Sequence, residues 1–120
     1  MIHHVVLGAS DLERSAAFYD ALLAPLGWRR HLEDNGTIGW GIAKPVFFAT
    51  ADSTATAAHG LISFSTPGIA AVKAAWEAGL SNGGKGIDAP GEARRLGSGS
   101  YSAFLADPDG HTIEVTVGSE

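Results

Sequence analysis

Hydrophobic and polar positions follow first a strand pattern and then a helix pattern at the start of this chain. Residues 2–7 form a short β-branched run that ends at Gly8, which predicts a strand. A capping box at 10–13 then predicts the start of a helix, and Pro25 and Gly27 predict its end. Its apolar stripe has the spacing of a helix packed on a sheet: Leu12, Ala16, Tyr19, Leu22, Leu23 and Leu26.

Three further apolar runs predict strands over 28–32, 37–42 and 46–50. Residues 51–59 are small and polar, which is typical of a linker. Residues 60–65 then predict a strand, and Thr66–Pro67 predicts a helix start with proline at the first position. The stripe of this second helix is Ile69, Val72, Trp76 and Leu80. A glycine-rich and proline-rich stretch continues to Gly99, and we interpret its start, Gly83-Gly-Lys-Gly86, as a flexible connection.

The chain closes with a predicted hairpin over 101–117, whose turn is Asp107-Pro-Asp-Gly110. In its second strand Ile113, Val115 and Val117 point to one face, and Thr112, Glu114 and Thr116 to the other. Glu114 is a carboxylate in the middle of an apolar strand. Its side chain faces either water or a pocket whose function requires a negative charge.

The two halves of the chain form an internal repeat. A shift of about 57 residues lays 4–7 on 61–64, Tyr19 on Trp76 and Gly27 on Gly84. Each half therefore reads as a βαβββ module, with module 1 at about 1–52 and module 2 at about 60–118. Such a module leaves one sheet face bare, so two copies can pair their sheets. The prediction is one α+β domain: two βαβββ modules with paired sheets forming an open cup, helices outside.

Composition narrows the class of protein. The 120 residues, 45% of them hydrophobic, suit one folded domain. A formal charge of −5 argues against binding to nucleic acid, and the chain contains no cysteine for disulfides or thiolate ligands. We find neither a signal peptide nor a membrane span in the sequence and predict a cytoplasmic protein that does not bind membranes.

The chain resembles the vicinal oxygen chelate superfamily, which includes glyoxalase I, bleomycin-resistance proteins, fosfomycin-resistance enzymes and extradiol dioxygenases. The resemblance rests on His4-Val-Val-Leu-Gly-Ala-Ser-Asp-Leu-Glu-Arg-Ser-Ala-Ala-Phe-Tyr19, on Pro90-Gly91 and on Ala103-Phe-Leu-Ala-Asp-Pro-Asp-Gly-His-Thr-Ile-Glu-Val115. It implies paired βαβββ modules that form a cup, within a homodimer. It also implies a small-molecule ligand.

The resemblance further implies a metal site in the metal-dependent members. There a first-strand His and a last-strand Glu of each module hold a divalent ion, such as Zn, Ni, Mn or Fe. The pattern places these ligands on His4 and Glu114, and the two companion positions on Leu61 and Phe48, which cannot bind a metal. The cofactor is therefore either a divalent ion in an incomplete site or none.

Several alternatives stay open for the remaining side chains. Without a metal, His4 and Glu114 form an acid/base pair, or His4 is an ordinary core or pocket histidine. His59 is either a third metal ligand or a loop residue. Arg94 either neutralises an anionic ligand or is a solvated loop charge. His3, on the face opposite His4, is interpreted as structural or interfacial, and His31 and His111 as surface residues.

Aromatic side chains from several strands are predicted to divide between the core and the cup. We assign Trp40, Phe48 and Tyr101 to substrate binding in an apolar cup.

Two functions fit. One is a metal-assisted lyase or isomerase of the glyoxalase type, in which Glu114 is catalytic and the metal stabilises an enediolate. The other is a non-catalytic protein of the bleomycin-resistance type, which sequesters a planar molecule without metal.

Overall fold

The computed structural model describes residues 2–56, 60–93 and 100–118. The first half contains a strand, a helix with a terminal 3₁₀ turn, and three strands. The second half repeats this order. The elements are β1 (Val5–Ala9), α1 (Leu12–Leu23), the 3₁₀ turn (Ala24–Leu26), β2 (Arg29–Asp34), β3 (Thr37–Gly41), β4 (Phe47–Ala51), β5 (Leu61–Ser65), α2 (Ile69–Ser81), β6 (Lys85–Ala93), β7 (Ser100–Ala106) and β8 (Thr112–Val117).

Each half forms its own four-stranded sheet, in the orders β1-β4-β3-β2 and β5-β8-β7-β6. The first strand of each half pairs with the last in parallel, and the remaining pairs are antiparallel. Two βαβββ modules with open sheets are the result, which confirms the predicted α+β fold class. The proposed division at 51–59 stays a prediction, because residues 57–59 lie outside the described part of the chain.

Strand pairing confirms the repeat at the level of single residues. Val6 of β1 lies opposite Phe48 of β4, and Ser63 of β5 lies opposite Glu114 of β8. The shift that relates the helix starts Leu12 and Ile69 also carries Val6 onto Ser63. Phe48 and Glu114 therefore occupy equivalent positions in the two modules.

One hydrophobic core serves both modules. Most of the predicted stripe of α1 is buried, with Tyr19, Leu22 and Leu23 almost fully covered, whereas Leu12 is only half-buried. Phe18, which was not predicted as part of the stripe, is also fully buried. The two helices contact each other, and side chains from the helix-facing side of both sheets complete the core. The predicted stripe of α2 holds only in part, since Ile69 and Leu80 remain 49% and 38% exposed.

The observed helix starts differ from the predicted ones. Asp11, not Ser10, caps α1, and its side chain accepts a hydrogen bond from the backbone N–H of Arg14. Ser10 is engaged elsewhere, as described below. At α2 the cap is Gly68, without a side-chain hydrogen bond, so the predicted Thr66–Pro67 start lies too early.

The glycine-rich and proline-rich residues 83–99 contain a strand, so the flexible connection predicted over 83–86 is wrong from Lys85 onward. Residues Lys85–Ala93 form β6, which pairs with β7 through two irregularities in register. Glycine, proline and these bulges interrupt the alternation that normally marks a strand. The remaining residues, 94–99, lie outside the described part.

The Asp107–Gly110 turn joins module 2 to module 1. Asp107 is buried and accepts hydrogen bonds from the Tyr19 hydroxyl at 2.6 Å and from the backbone N–H groups of Asp109 and His111 at 2.9 Å. Burial, followed by the charge of Asp107, raises the pKa of the Tyr19 hydroxyl well above its usual value. The hydroxyl therefore remains a donor.

Asp109 fastens the same turn to the start of α1. Its carboxylate accepts hydrogen bonds from the Ser10 hydroxyl and, at 3.1 Å, from the Ser10 backbone N–H. His111 was predicted to be a surface residue, but it is only 4% exposed, and its Nε2 donates to the Gly8 carbonyl at 3.0 Å. The closing motif thus serves the packing of the two modules.

Candidate functional site

Each sheet packs one face on the core and leaves the other face open. On β4 the side chains of Phe47 and Ala49 enter the core, so Phe48 between them lies on the open face. On β8 Ile113 and Val115 enter the core, so Glu114 lies on the open face of the second sheet. The predicted alternation around Glu114 is therefore what the structure shows.

On the open face of the first sheet, the Phe48 ring packs over Gly39 and beside His4. A Cβ placed on its pairing partner Gly39 would stand 2.7 Å from the Phe48 ring, so the ring lies directly over this glycine. The rings of Phe48 and His4 meet edge to face, with their centroids 5.7 Å apart and their planes at 85° to each other. His4 therefore lies on the same open face as Phe48, as predicted.

Glu114 has a different setting on the second sheet. It is half-buried at the middle of β8, with Ser63 opposite it on one side and Phe104 on the other. Hydroxyl groups share this face, and those of Ser102 and Thr116 are hydrogen-bonded at 2.6 Å. This face offers a carboxylate among hydroxyls, whereas the first sheet offers an aromatic ring.

A cavity of about 530 Å³ lies between the segment leading into β1 and the edge strand β5. Three aromatic side chains line it, and Phe64 makes edge-to-face contacts with Trp28 and Phe47 at 5.4 and 5.2 Å. His4 and Ser63 contribute polar atoms. Among the described residues, the lining consists of Ile2, His3, His4, Val5, Trp28, Ile42, Val46, Phe47 and residues 61–65. Its volume and apolar character are typical of a small-molecule site.

The structure corrects two assignments to substrate binding. Trp40 is fully buried in the core against Tyr19 and Phe47, and its indole N–H donates to Asp20 at 2.9 Å. Tyr101 also lies on the helix-facing side, packed against the core. Both predictions failed because an aromatic residue in a strand fits a core position as well as a cup.

His59 and Arg94 lie outside the described residues, so their roles stay predictions. His4 and Glu114 are described, and no hydrogen bond or ion pair joins them in this part of the chain. Each lies on the open face of its own sheet. Their function as a metal-binding or acid/base pair therefore remains a prediction.

Among the described lining residues, His4 alone was predicted as a site residue. Trp28 belongs to the aromatic residues that were expected to divide between the core and the cup, and Ser63 carries no signal in the sequence beyond strand character. His3 was expected on the face opposite His4, but the two side chains meet, with Nδ1 atoms 2.8 Å apart. They precede β1, so strand alternation does not separate them. Adjacent histidines before a strand were the available signal.

The donor set does not fit the four-ligand metal site that the resemblance implies. The equivalent positions of His4 and Glu114 carry Leu61 and Phe48, whose side chains have no donor atoms. Within residues 2–56, 60–93 and 100–118, no group of three His, Asp or Glu side chains converges. A divalent ion at these positions would have at most one ligand from each sheet.

His31, predicted to be a surface residue, is half-buried, and its Nε2 lies 2.9 Å from the Ile42 carbonyl and 3.2 Å from that of Gly41. Among the helices of the described part, none is long and apolar enough to cross a membrane.

Comparison with known proteins identifies relatives over nearly the whole chain. Residues 1–115 match the model of the Glyoxalase/Bleomycin resistance protein/Dioxygenase superfamily. A glyoxalase/bleomycin resistance protein from Albidiferax ferrireducens is 30% identical, with a TM-score of 0.87 over 95% of this chain and 96% of that one. The comparison with curated proteins found no match.

More distant solved structures share the fold. The fosfomycin resistance protein FosX from Mesorhizobium loti is 18% identical, with a TM-score of 0.69 over 97% of this chain and 90% of that one. A glyoxalase-related enzyme from Fulvimarina pelagi is 21% identical, with a TM-score of 0.75 over 96% of this chain and 86% of that one.

Proposed function

Because this chain belongs to the Glyoxalase/Bleomycin resistance protein/Dioxygenase superfamily, we propose that it binds and sequesters a small planar molecule in the cavity beside β5. The cavity lining supports this, since the half-buried Trp28 presents aromatic surface there and the buried rings of Phe47 and Phe64 lie behind it. Planar apolar ligands gain from burial against such rings and from edge-to-face contacts with them. Sequestration requires affinity and no chemical step.

The observation that carries this proposal is the replacement of metal ligands by apolar side chains. Leu61 lines the cavity, and Phe48 covers the open face beside His4. Both remove donors from the four-ligand arrangement, which disfavours an ion held between the two sheets and favours an apolar ligand. His4 and Ser63 supply hydrogen bonds that orient the ligand.

Thermal shift and calorimetry with a panel of planar aromatic compounds test the proposal. A ligand present at about 100 times its Kd stabilises the fold by about 2.7 kcal/mol, which raises Tm by on the order of 10 °C. We expect such a shift with at least one compound. Absence of any shift across charged and neutral aromatic compounds would contradict it.

A cavity-filling variant locates the binding. Ser63 is exposed and lines the cavity, so Ser63→Trp should abolish the shift while the protein stays folded. Ser81→Trp, at the exposed end of α2, is the matched control because Ser81 does not line the cavity. Equal loss in both variants, or in neither, argues against this cavity.

Proton transfer by Glu114 is the second candidate function. Its half-buried position beside Ser63, which lines the cavity, favours this. Glu114→Gln should abolish any lyase or isomerase turnover while leaving the ligand-induced thermal shift intact. Loss of both would assign Glu114 to binding instead.

A homodimer is part of this second proposal. In one chain His4 and Glu114 lie on separate open faces, and a second copy is what would complete a cup around them. Light scattering coupled to size-exclusion chromatography should give a mass close to twice 12.3 kDa. A monomer that still binds ligand would leave sequestration standing and remove the shared cup.

A further inference from the structure

His3 and His4 meet on the segment that leads into β1. Their Nδ1 atoms are 2.8 Å apart, and their rings are nearly perpendicular, at 83° with centroids 5.0 Å apart. Both side chains are exposed to solvent and both line the cavity. From this geometry we propose that His3 and His4 together bind a divalent transition-metal ion, with Cu²⁺ preferred.

The distance suits two ligands of one ion. Two nitrogen atoms that are each about 2.0 Å from a metal, and at right angles around it, stand about 2.8 Å apart. At present one proton lies between the two Nδ1 atoms, because a neutral imidazole must donate for the contact to form. Binding releases that proton to solvent and requires both exposed rings to rotate, because in the hydrogen bond the nitrogen lone pairs lie along the line between the two atoms and not toward a common point beside it.

The donor type selects the metal. Imidazole suits Cu²⁺, Ni²⁺ and Zn²⁺, whereas Mg²⁺ and Mn²⁺ prefer oxygen ligands, and none of the described residues that line this cavity is a carboxylate. For a given set of nitrogen ligands, affinity increases from Ni²⁺ to Cu²⁺ and falls again at Zn²⁺. We therefore expect Cu²⁺ to bind most tightly.

The environment keeps one ligand in place and leaves room at the ion. The Phe48 ring packs against the edge of His4, which restricts the His4 imidazole. The described residues offer no third His, Asp or Glu at this point, so further coordination positions are left to water or to a molecule in the cavity.

This dihistidine site differs from the four-ligand arrangement that the sequence resemblance implies. It uses two adjacent residues on one segment and needs neither Leu61, Phe48 nor Glu114. It is separable from the proposed sequestration by experiment, because His3 variants test the ion and Ser63→Trp tests the aromatic ligand.

Titration with Cu²⁺ in a buffer that does not coordinate metals, followed by calorimetry and electron paramagnetic resonance, tests the site. We expect one equivalent to bind, with nitrogen splitting from two imidazoles in the spectrum. His3→Ala and His4→Ala should each weaken binding at least about tenfold, since even outer-shell partners of metal ligands commonly contribute that much. Mg²⁺ should not compete.

Two comparisons make the result decisive. His31→Gln removes a histidine whose Nε2 already contacts backbone carbonyls, so it should leave Cu²⁺ affinity unchanged. A site made by His3 and backbone groups alone would be insensitive to His4→Ala, and that outcome would overturn the proposal. Equal weakening by all three variants would show unspecific binding to histidines and would also overturn it.

Protein stability is checked in the same series. Both histidines are exposed, so their alanine variants should keep the far-ultraviolet circular dichroism spectrum and the thermal midpoint of the unsubstituted protein. If His3→Ala does not fold, His3→Gln provides the same loss of the metal ligand with a similar side-chain volume. Unchanged Cu²⁺ affinity in His3→Gln would count against the site.

Discussion

The two modules share a register but differ in chemistry on their open faces. At one pair of equivalent positions, module 1 has Phe48 lying over Gly39, and module 2 has Glu114 beside Phe104. An aromatic ring is present in both, but on β4 in one module and on β7 in the other. Only module 2 therefore has a carboxylate on its open face at this position. The two modules therefore share a fold without sharing the chemistry of their open faces.

The two modules also differ in the contacts that attach the helix to its sheet. In module 1 the buried Trp40 donates to Asp20 of α1, and Arg30 of β2 forms an ion pair with Asp20 at 2.7 Å. In module 2 the buried Leu105 packs against Gly79 of α2, where a Cβ would stand 2.6 Å from it. Module 1 is held by polar contacts and module 2 by close apolar packing.

The largest loss of stability is expected from a substitution of Asp107, in the turn through which module 2 contacts module 1. Asp107→Ala leaves the Tyr19 hydroxyl and two backbone N–H groups without their acceptor in a buried place. Because hydrogen bonds to charged groups contribute strongly, we expect a loss of about 3 kcal/mol in the free energy of unfolding. Urea denaturation monitored by circular dichroism measures this.

Tyr19→Phe is the matched control for that variant. It removes one of the three donors and keeps the buried ring, so about 1 kcal/mol should be lost. If both variants cost the same, the turn depends on the tyrosine alone. In that case the backbone contacts of Asp107 do not stabilise the joint between the modules.

Much of the fold was predictable because it depends on local patterns. The stripe of α1, the alternation around Glu114 and the repeat of about 57 residues follow from spacing, whereas the equivalence of Phe48 and Glu114 was implied only by the family resemblance and is seen in the strand pairing. β6 was not predictable, since its glycines, proline and register irregularities disrupt that spacing. The burial of His111 was missed because its partner, Gly8, is distant in sequence.

The candidate site was less predictable than the fold. Periodicity shows which strand face a side chain occupies, and it assigned Phe48 and Glu114 to the open faces. It does not show which face the core covers at Trp40 and Tyr101, because both faces accept aromatic side chains. Nor does it apply before a strand begins, which is why the contact of His3 with His4 was missed.

A glycine substitution sharpens the comparison of open faces. In Gly39→Ala the new Cβ meets the Phe48 ring at 2.7 Å and Pro45 at 2.9 Å, so the ring must move. Forcing a side chain out of a packed place costs about 1–3 kcal/mol, and we expect about 2 kcal/mol here. Thermal unfolding of the variant measures the loss.

The double variant Gly39→Ala/Phe48→Leu separates the two contacts. A smaller, more adaptable side chain at Phe48 should relieve part of the strain, so the two substitutions should be coupled by at least about 0.5 kcal/mol. Additive losses would mean that Pro45, not Phe48, limits the space above Gly39. The Phe48 ring would then not be fixed by the glycine.

The smallest effect concerns the polar attachment in module 1 and depends on pH. Burial favours a higher pKa for Asp20, but hydrogen bonds from Arg30 and Trp40 outweigh it and lower the pKa below its usual value. A lowered pKa in the folded state stabilises the fold above the unfolded pKa of about 4, and this is lost as pH falls through the folded pKa.

Asp20→Asn isolates this contribution, since the amide oxygen can still accept from Trp40 but carries no charge. The Asp20 side chain is 44% exposed, so we expect the variant to lose less than about 1 kcal/mol at pH 7. The difference in the free energy of unfolding from the unsubstituted protein should shrink below about pH 4.

Leu105→Val, at the equivalent attachment in module 2, is the control. It should lower the free energy of unfolding by about 1 kcal/mol at every pH, because it removes only apolar packing. A pH-independent loss in Asp20→Asn would mean that hydrogen-bond geometry, not charge, holds α1 on its sheet.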